Sequence, residues 1–268
     1  MENLNLNEKS LIHFAKQYKL HKKISFFAEI ASTNEQAKQI CAQGKGRGAV
    51  IVADCQTEGR GRLGRGFVSP KGKGIYFTVG YDLGEKENCR VDLISSAAGL
   101  AVRDTLYNFF GIDVKIKWPN DILVDDKKLC GILCEIINEN NRPKYAVIGI
   151  GLNLEKQEFE DELAYTATSV GNVYSGEVEL DHNEICIDIV NNLDRYIIRN
   201  GILKGEDQSE LISRLKAHSA TVGRMVRVIG TDEEYDARAL DIDENGALVV
   251  QGPVEVKTVS SGEIVHLR

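Results

Sequence analysis

Two apolar, β-branched runs, GAVIVADCQ (48–56) and GIYFTVGYDL (74–83), are separated by seventeen residues, 57–73. That spacing constrains the fold more than any other feature of the chain. Both runs read as buried strands. A connection of this length inside a compact domain is uncommon and marks either a functional loop or a disordered one. Residues 59–73 carry five cations (Arg60, Arg62, Arg65, Lys71, Lys73) and no acid. Four glycines alternate through the first half, GRGRLGRG (59–66), so the backbone can approach a ligand and turn its N–H groups inward. Guanidinium forks match phosphate and carboxylate oxygens in pairs. An anionic ligand is therefore expected. An Arg/Gly linker of the RNA-binding type has similar composition, but a linker does not belong between two buried strands of one domain. The segment lacks the G-K-[ST] of a Walker A loop.

The rest of the chain supplies elements for a layered α/β domain. Residues 24–30 read as a strand. Ser32 and Glu35 fit a capping box that starts a helix stopped by Gly44. Residues 90–110 have helical apolar spacing and end before Gly111. DVKIKW alternates, with Val114, Ile116 and Trp118 on one face, and a hairpin follows around Asp125 and Asp126. Residues 145–154 form one more buried strand. A helix spans 181–200 with Asp181 as N-cap, and another covers 206–218. From Thr221 onward, short alternating runs surround an Asn245-Gly246 turn, the pattern of a small β-domain. An amphipathic helix carrying Leu11, Ile12, Phe14 and Ala15 is expected in residues 1–23. The expected division is an N-terminal helical extension (1–23), a catalytic domain (24–219) and a C-terminal β domain (220–268), consistent with a length of 268 residues.

Composition excludes several classes. The formal net charge is −7, from 33 Lys+Arg against 40 Asp+Glu, which disfavours nonspecific nucleic-acid binding. The six cysteines form no C-x-x-C, so neither a zinc site nor a disulfide framework is signalled. Cys130 and Cys134 share one face of a strand and read as packing residues. Free cysteines, no apolar signal core and no run of eighteen apolar residues together suggest a cytoplasmic protein outside the membrane.

Three further segments suit a ligand. Lys117, in KWPND (117–121), ends a strand and points away from the Val114/Ile116/Trp118 face, where it can meet a carboxylate or phosphate; taken alone, a solvated edge lysine is the commoner case. Ser32, Thr33 and Asn34 start a helix and offer hydroxyl and amide groups, as does Gln56. Gly149 and Gly151 in an apolar strand, with Asn153 beyond, leave room for something close against the backbone there, an ordinary bulge being the commoner case when they are taken alone.

Taken in order, S-T-N (32–34), Q-x-x-G-R-G-R-x-G-R (56–65), K-W-P-N-D (117–121), G-I-L-x-E (131–135), G-x-G-x-N (149–153) and G-E-I (262–264) resemble the biotin protein ligase family over roughly residues 24–268. The resemblance implies a mixed β-sheet catalytic domain packed with helices, the class II synthetase-like biotin ligase fold, plus a small C-terminal SH3-like β-barrel. It implies ATP-dependent activation of biotin, with Mg2+, to biotinyl-5'-AMP, and transfer to a lysine of a biotin carboxyl carrier protein. It places Ser32, Thr33, Asn34 and Gln56 at the biotin ureido ring. It puts Arg60, Gly61 and Arg62 over the carboxylate and phosphates, Lys117 at the activated carboxyl or α-phosphate, and Gly131, Gly151 and Asn153 along the pocket. Lys117, Arg60 and Arg62 are the expected catalytic residues. Family members often dimerise through the catalytic sheet. Some carry an N-terminal helix-turn-helix; only 23 residues precede the first strand here, so a ligase without DNA binding is expected. The alternatives are a lipoate or octanoate ligase of the same fold, whose R-R-x-x-G-G-G run is absent, and a non-catalytic biotin- or nucleotide-binding sensor. Asp121 is a weak candidate base for the transfer; the aromatic that some relatives stack on adenine is not assigned, Tyr165 lying only near the expected region.

Overall fold

The computed structural model describes residues 5–84, 89–176, 181–230 and 233–267, so the first four residues of the expected N-terminal extension lie outside the described residues. Seven strands form one mixed sheet: β1 (Lys23–Phe27), β2 (Ala49–Ala53), β3 (Gly74–Asp82), β4 (Lys115–Lys117), β5 (Asp121–Val124), β6 (Lys127–Glu139) and β7 (Arg142–Asn153). Their spatial order is β1-β2-β3-β7-β6-β5-β4. β1 and β2 pair in parallel, and the remaining ladders are antiparallel.

Period-two alternation divides the sheet into two faces of different character. Val50 and Val52, Ile75, Phe77 and Val79, Cys130 and Ile132, and Ile148, Ile150 and Leu152 all enter one large core. Helices α1 (Glu8–Gln17), α3 (Ile94–Phe110) and α4 (His182–Asp194) cover that face. Each large apolar side chain fully buried there contributes roughly 1.5–3 kcal/mol of transfer free energy. On the opposite face, α2 (Thr33–Ala42) packs Ala37 and Cys41 on Ile51, Tyr145 and Val147. Alongside α2, the same parity brings out Thr78 from β3, Gly131 from β6, and Gly149 and Gly151 from β7. The three residues without side chains leave a hollow in the middle of the sheet, and the Thr78 hydroxyl lies buried beside it.

α5 (Ser209–Ala217) leads to five antiparallel strands, β8 (Met225–Ile229), β9 (Glu234–Ile242), β10 (Leu248–Gln251), β11 (Val256–Val259) and β12 (Glu263–His266), ordered β11-β10-β9-β8-β12. This is the small C-terminal β-domain. It is fastened beside β4: the Trp118 backbone N–H donates to Thr221 Oγ1 at 3.0 Å and the indole Nε1 to the Gly246 carbonyl at 2.9 Å.

Local differences from expectation have identifiable causes. The expected capping box does not form: Ser32 is the N-cap of α2 but makes no side-chain cap bond, and the Glu35 carboxylate, its other half, is drawn to Lys38 and Arg60 instead of reaching back to the Ser32 N–H. β1 ends at Phe27, and only Ile30 of the expected continuation bridges to Gln56. The helix expected over 90–110 starts at Ile94, and that over 181–200 gives way to a π turn at Arg195–Arg199. Asp181 caps α4 as expected, accepting from Asn183 N and Glu184 N. Ile12, expected on the buried face of α1, is 39% exposed. Asn245-Gly246 lies in a longer turn than a two-residue hairpin, because Asp243 Oδ1 accepts from both Asn245 N and Ala247 N.

Candidate active site

The long loop folds back on itself as a narrow hairpin, with Gln56 bridged to Ser69 and Arg60 to Gly66, and a tight turn at Arg62–Gly64. The Gly61 N–H donates to the Arg65 carbonyl and the Phe67 N–H to the Gly59 carbonyl. The hairpin roofs the hollow and divides it into two adjoining cavities. The first, about 50 Å3, is lined by Ser32, Thr33, Asn34, Gln56, Arg60, Gly61, Arg62, Gly131 and Gly151 among others. The second, about 140 Å3, is lined by Gly61, Arg62, Arg65, Lys117, Asn120 and Asp121 among others. Gly61, Arg62, Phe67, Asn120 and Lys128 line both.

The first cavity has a polar floor. Thr78 Oγ1 lies 2.6 Å from Asn34 Oδ1 and 2.8 Å from Thr33 Oγ1, which lies 3.0 Å from Gln56 Oε1. Gln56 Oε1 also accepts the Thr33 N–H at 2.9 Å, while its Nε2 donates to Ser69 Oγ at 2.9 Å. Asn34 Nδ2 donates to Glu135 Oε2 at 2.8 Å. These partners fix both amide orientations. Two hydroxyl protons then serve three oxygen–oxygen contacts, so the floor is rich in acceptors and short of donors. The two strand glycines are needed for close approach. A Cβ at Gly149 would lie 2.0 Å from Asn34 Oδ1, and one at Gly151 would lie 2.4 Å from the Phe67 ring. What packs against the β7 backbone is thus the chain's own Asn34 and Phe67.

The second cavity is cationic. Arg62 donates to Asn120 Oδ1 at 3.1 Å and to the Gly262 carbonyl at 2.8 Å; Arg65 pairs with Glu263 at 2.6 Å. Lys128 pairs with Asp121 at 2.7 Å. Burial lowers the Lys117 ammonium below its ordinary pKa; Lys128 and Arg65 push the same way, and Asp121 and Glu263 oppose them. Burial likewise lowers Arg62.

Not every expected site residue arrives. Asn153 lines neither cavity; it is buried and its amide donates to the Thr168 carbonyl at 3.0 Å. Arg60 borders the first cavity, but its half-exposed guanidinium is turned to Glu35. Lys71 and Lys73 of the same loop are exposed outside both cavities. Phe67, Lys128 and Thr78 belong to the arrangement without having been singled out by sequence, and Glu135, quoted only as the last residue of G-I-L-x-E, had been given no role. An aromatic following the glycine run was the available signal for Phe67. Lys128 in a hairpin strand reads as a solvated lysine, and nothing local marks it.

Residues 26–153 match the Biotin/lipoate A/B protein ligase family, and residues 221–267 match the Biotin protein ligase C terminal domain. The chain is 32% identical over 254 residues to the biotin–[acetyl-CoA-carboxylase] ligase of Mycobacterium tuberculosis, covering 92% of this chain and 90% of that one. It is 30% identical over 243 residues to the bifunctional ligase/repressor BirA of Bacillus spizizenii, covering 88% and 71%. Its fold is similar to that of a biotin protein ligase from Aquifex aeolicus solved with biotin and ATP (TM-score 0.73, 24% identity, 92% and 99% covered).

Proposed function

The chain belongs to the biotin protein ligase family, and on that premise we propose that it joins biotin to a biotin carboxyl carrier protein. In this reading ATP activates biotin to biotinyl-5'-AMP, and an acceptor lysine then takes the biotinyl group. One observation carries it: an acceptor-rich floor and a cluster of cations occupy the two ends of one divided hollow under one loop. Biotin has matching ends, a ureido ring with two N–H donors and a carboxylate. A lipoyl ring has no N–H to offer this floor, which favours biotin over the lipoate alternative.

Activation brings two anions together, the carboxylate and the α-phosphate. Two unit charges at 4 Å repel by about 4 kcal/mol at an effective dielectric near 20. Lys117 and Arg62, with Lys128 and Arg65 beside them, offset that repulsion and hold the reacting oxygen and phosphorus in line. The carboxylate oxygen forms the new bond to phosphorus, and pyrophosphate leaves. In the second step the neutral amine of the acceptor attacks the acyl carbon and AMP departs. Ser32, Thr33, Asn34 and Gln56 hold the ureido end; Arg60, Gly61, Gly131 and Gly151 shape the cavity around it. Among the described residues no group of three or more His, Cys, Asp or Glu could hold a metal ion. The described residues therefore offer no cage of such side chains for Mg2+, which in this reading arrives with the nucleotide phosphates as part of the substrate.

The reading assigns the chemistry to residues 24–219 and support of the loop to residues 220–268, preceded by the 1–23 extension. Six free cysteines suit a reducing cytoplasm, and among the described residues no helix is long and apolar enough to cross a membrane. A homodimer through the sheet belongs to the same proposal. The test is incubation with Mg2+, ATP and either biotin or lipoate, following pyrophosphate release and labelling of a carrier domain. Labelling with biotin alone supports the reading; labelling with lipoate alone, or binding without pyrophosphate release, contradicts it.

A further inference from the structure

We propose that Glu135 and Thr78, neither of which lines the cavity, are the positioning residues that set the ligand specificity of the first cavity. They do so by holding the Asn34 amide in one of its two orientations, so that the floor selects a ring carrying N–H donors. The inference deepens, and rests on, the reading of this cavity as the site of the ureido ring.

A primary amide is nearly symmetric in shape but opposite in polarity at its two ends, so rotation by half a turn exchanges donor for acceptor with little steric change. Asn34 is 5% exposed, and its amide lies on the Gly149 backbone, where packing alone leaves that choice open. Its hydrogen-bond partners decide it. A carboxylate only accepts, so Glu135 Oε2, 2.8 Å away, requires the NH2 end, and the Leu133 carbonyl at 3.4 Å requires the same. Lys38 Nζ holds the other oxygen of Glu135 at 2.9 Å and keeps the carboxylate in place. The amide oxygen is thereby turned to Thr78, which is wholly buried and donates to it. Having given its proton to Asn34, Thr78 can only accept from Thr33, and Thr33 has one proton to divide between Thr78 and Gln56. The shortage of donors is thus passed to Thr33 and Gln56, which line the cavity. A flipped Asn34 would point its NH2 at Thr78, free the Thr78 proton for Thr33, and remove the shortage. Glu135 and Thr78 therefore act together: the carboxylate chooses the orientation, and the hydroxyl transmits it.

The experiment measures biotin-dependent ATP–pyrophosphate exchange in the wild-type chain and in Glu135→Gln, Thr78→Val and Thr78→Ser, with biotin and with biotin methylated on a ureido nitrogen. Glutamine offers both a donor and an acceptor, so it no longer dictates the Asn34 orientation, and at a half-buried position it leaves the fold in place. Glu135→Gln and Thr78→Val are expected to raise the biotin KM by about tenfold each, the effect of one lost hydrogen bond, with kcat within about twofold. Both should narrow the discrimination between biotin and its methylated form. Thr78→Ser retains the hydroxyl and should keep wild-type values. The inference is overturned if Glu135→Gln and Thr78→Val retain the wild-type KM and discrimination, or if they lose kcat while discrimination persists. A wild-type chain that shows no exchange with biotin contradicts the functional reading itself, and this inference with it.

Discussion

Arg62 and Gly262 stand 200 positions apart in sequence, yet the Arg62 guanidinium donates to the Gly262 carbonyl at 2.8 Å. The same guanidinium reaches Asn120 Oδ1 at 3.1 Å. One side chain therefore joins the glycine-rich hairpin, the KWPND turn and the C-terminal sheet. The neighbouring Arg65–Glu263 pair is exposed on the arginine side and adds little by itself. The two-armed Arg62 contact fixes where the hairpin closes.

Replacing Arg62 by glycine removes both arms and one of the cations over the second cavity. The roof then loosens, and a reactive adenylate beneath it is expected to escape before transfer. Isotope-labelled biotinyl-5'-AMP formed on the variant should dissociate at least about tenfold faster than from the wild type, corresponding to about 1.4 kcal/mol of lost contact. Release at the wild-type rate would show that Arg62 does not retain the intermediate.

Burial lowers the Lys117 ammonium below its ordinary pKa, which is consistent with a group whose charge is used at close range on a desolvated anion. Lys117→Ala should lower the rate of adenylation by roughly 100- to 1000-fold, the usual effect of deleting one preorganised electrostatic contact at a reacting centre. Biotin KM should move much less. Single-turnover formation of the adenylate checks this, and a fall of less than threefold would remove Lys117 from the reaction.

Gly149→Ala places a methyl group where Asn34 Oδ1 lies 2.0 Å away. Asn34 must leave its pocket, breaking its bonds to Glu135 and Thr78. The expected outcome is a loss of biotin affinity of at least about tenfold, with a destabilisation of about 1–3 kcal/mol from overpacking in a filled region. Calorimetric titration with biotin and a melting curve report the two effects separately. Unchanged biotin affinity would mean that Asn34 lies outside the recognition surface.

The elements were legible where a short-range rule governs them. The alternation of Val114, Ile116 and Trp118 gave their shared burial, and left Lys117 for the cavity side. Asp181 gave the start of α4. The site was less legible, because its polar wiring runs between residues far apart in sequence. Glu35 has the spacing of a capping box, but its carboxylate is drawn to Lys38 and Arg60, and Arg60 comes from a loop 25 residues away. Gly149 and Gly151 announced a close neighbour; only the fold names Asn34 and Phe67 as that neighbour. Thr78 reads as an ordinary strand residue until parity sets it opposite α2.

His266 gives the structure a pH dependence. The Trp118 N–H donates to Thr221 Oγ1 at 3.0 Å, which leaves the Thr221 proton for His266 Nε2, also at 3.0 Å. Burial, with Lys117 and Arg224 adding to it and Asp126 opposing, pushes the His266 pKa down to about 4. The folded pKa lies below that of an unfolded histidine, near 6.5, so this contribution to stability is complete above about pH 6.5 and is lost as pH falls toward 4. His266→Gln keeps an acceptor without the titration. The wild type should lose thermal stability relative to that variant between about pH 6.5 and 4; parallel curves would mean that His266 titrates normally.

The most direct test of the central claim is the rate of biotin-dependent exchange of labelled pyrophosphate into ATP by the purified chain. The account predicts robust exchange with biotin, none with lipoate, and a collapse of the biotin signal in Lys117→Ala. Exchange driven by lipoate, or undiminished exchange in Lys117→Ala, would contradict it.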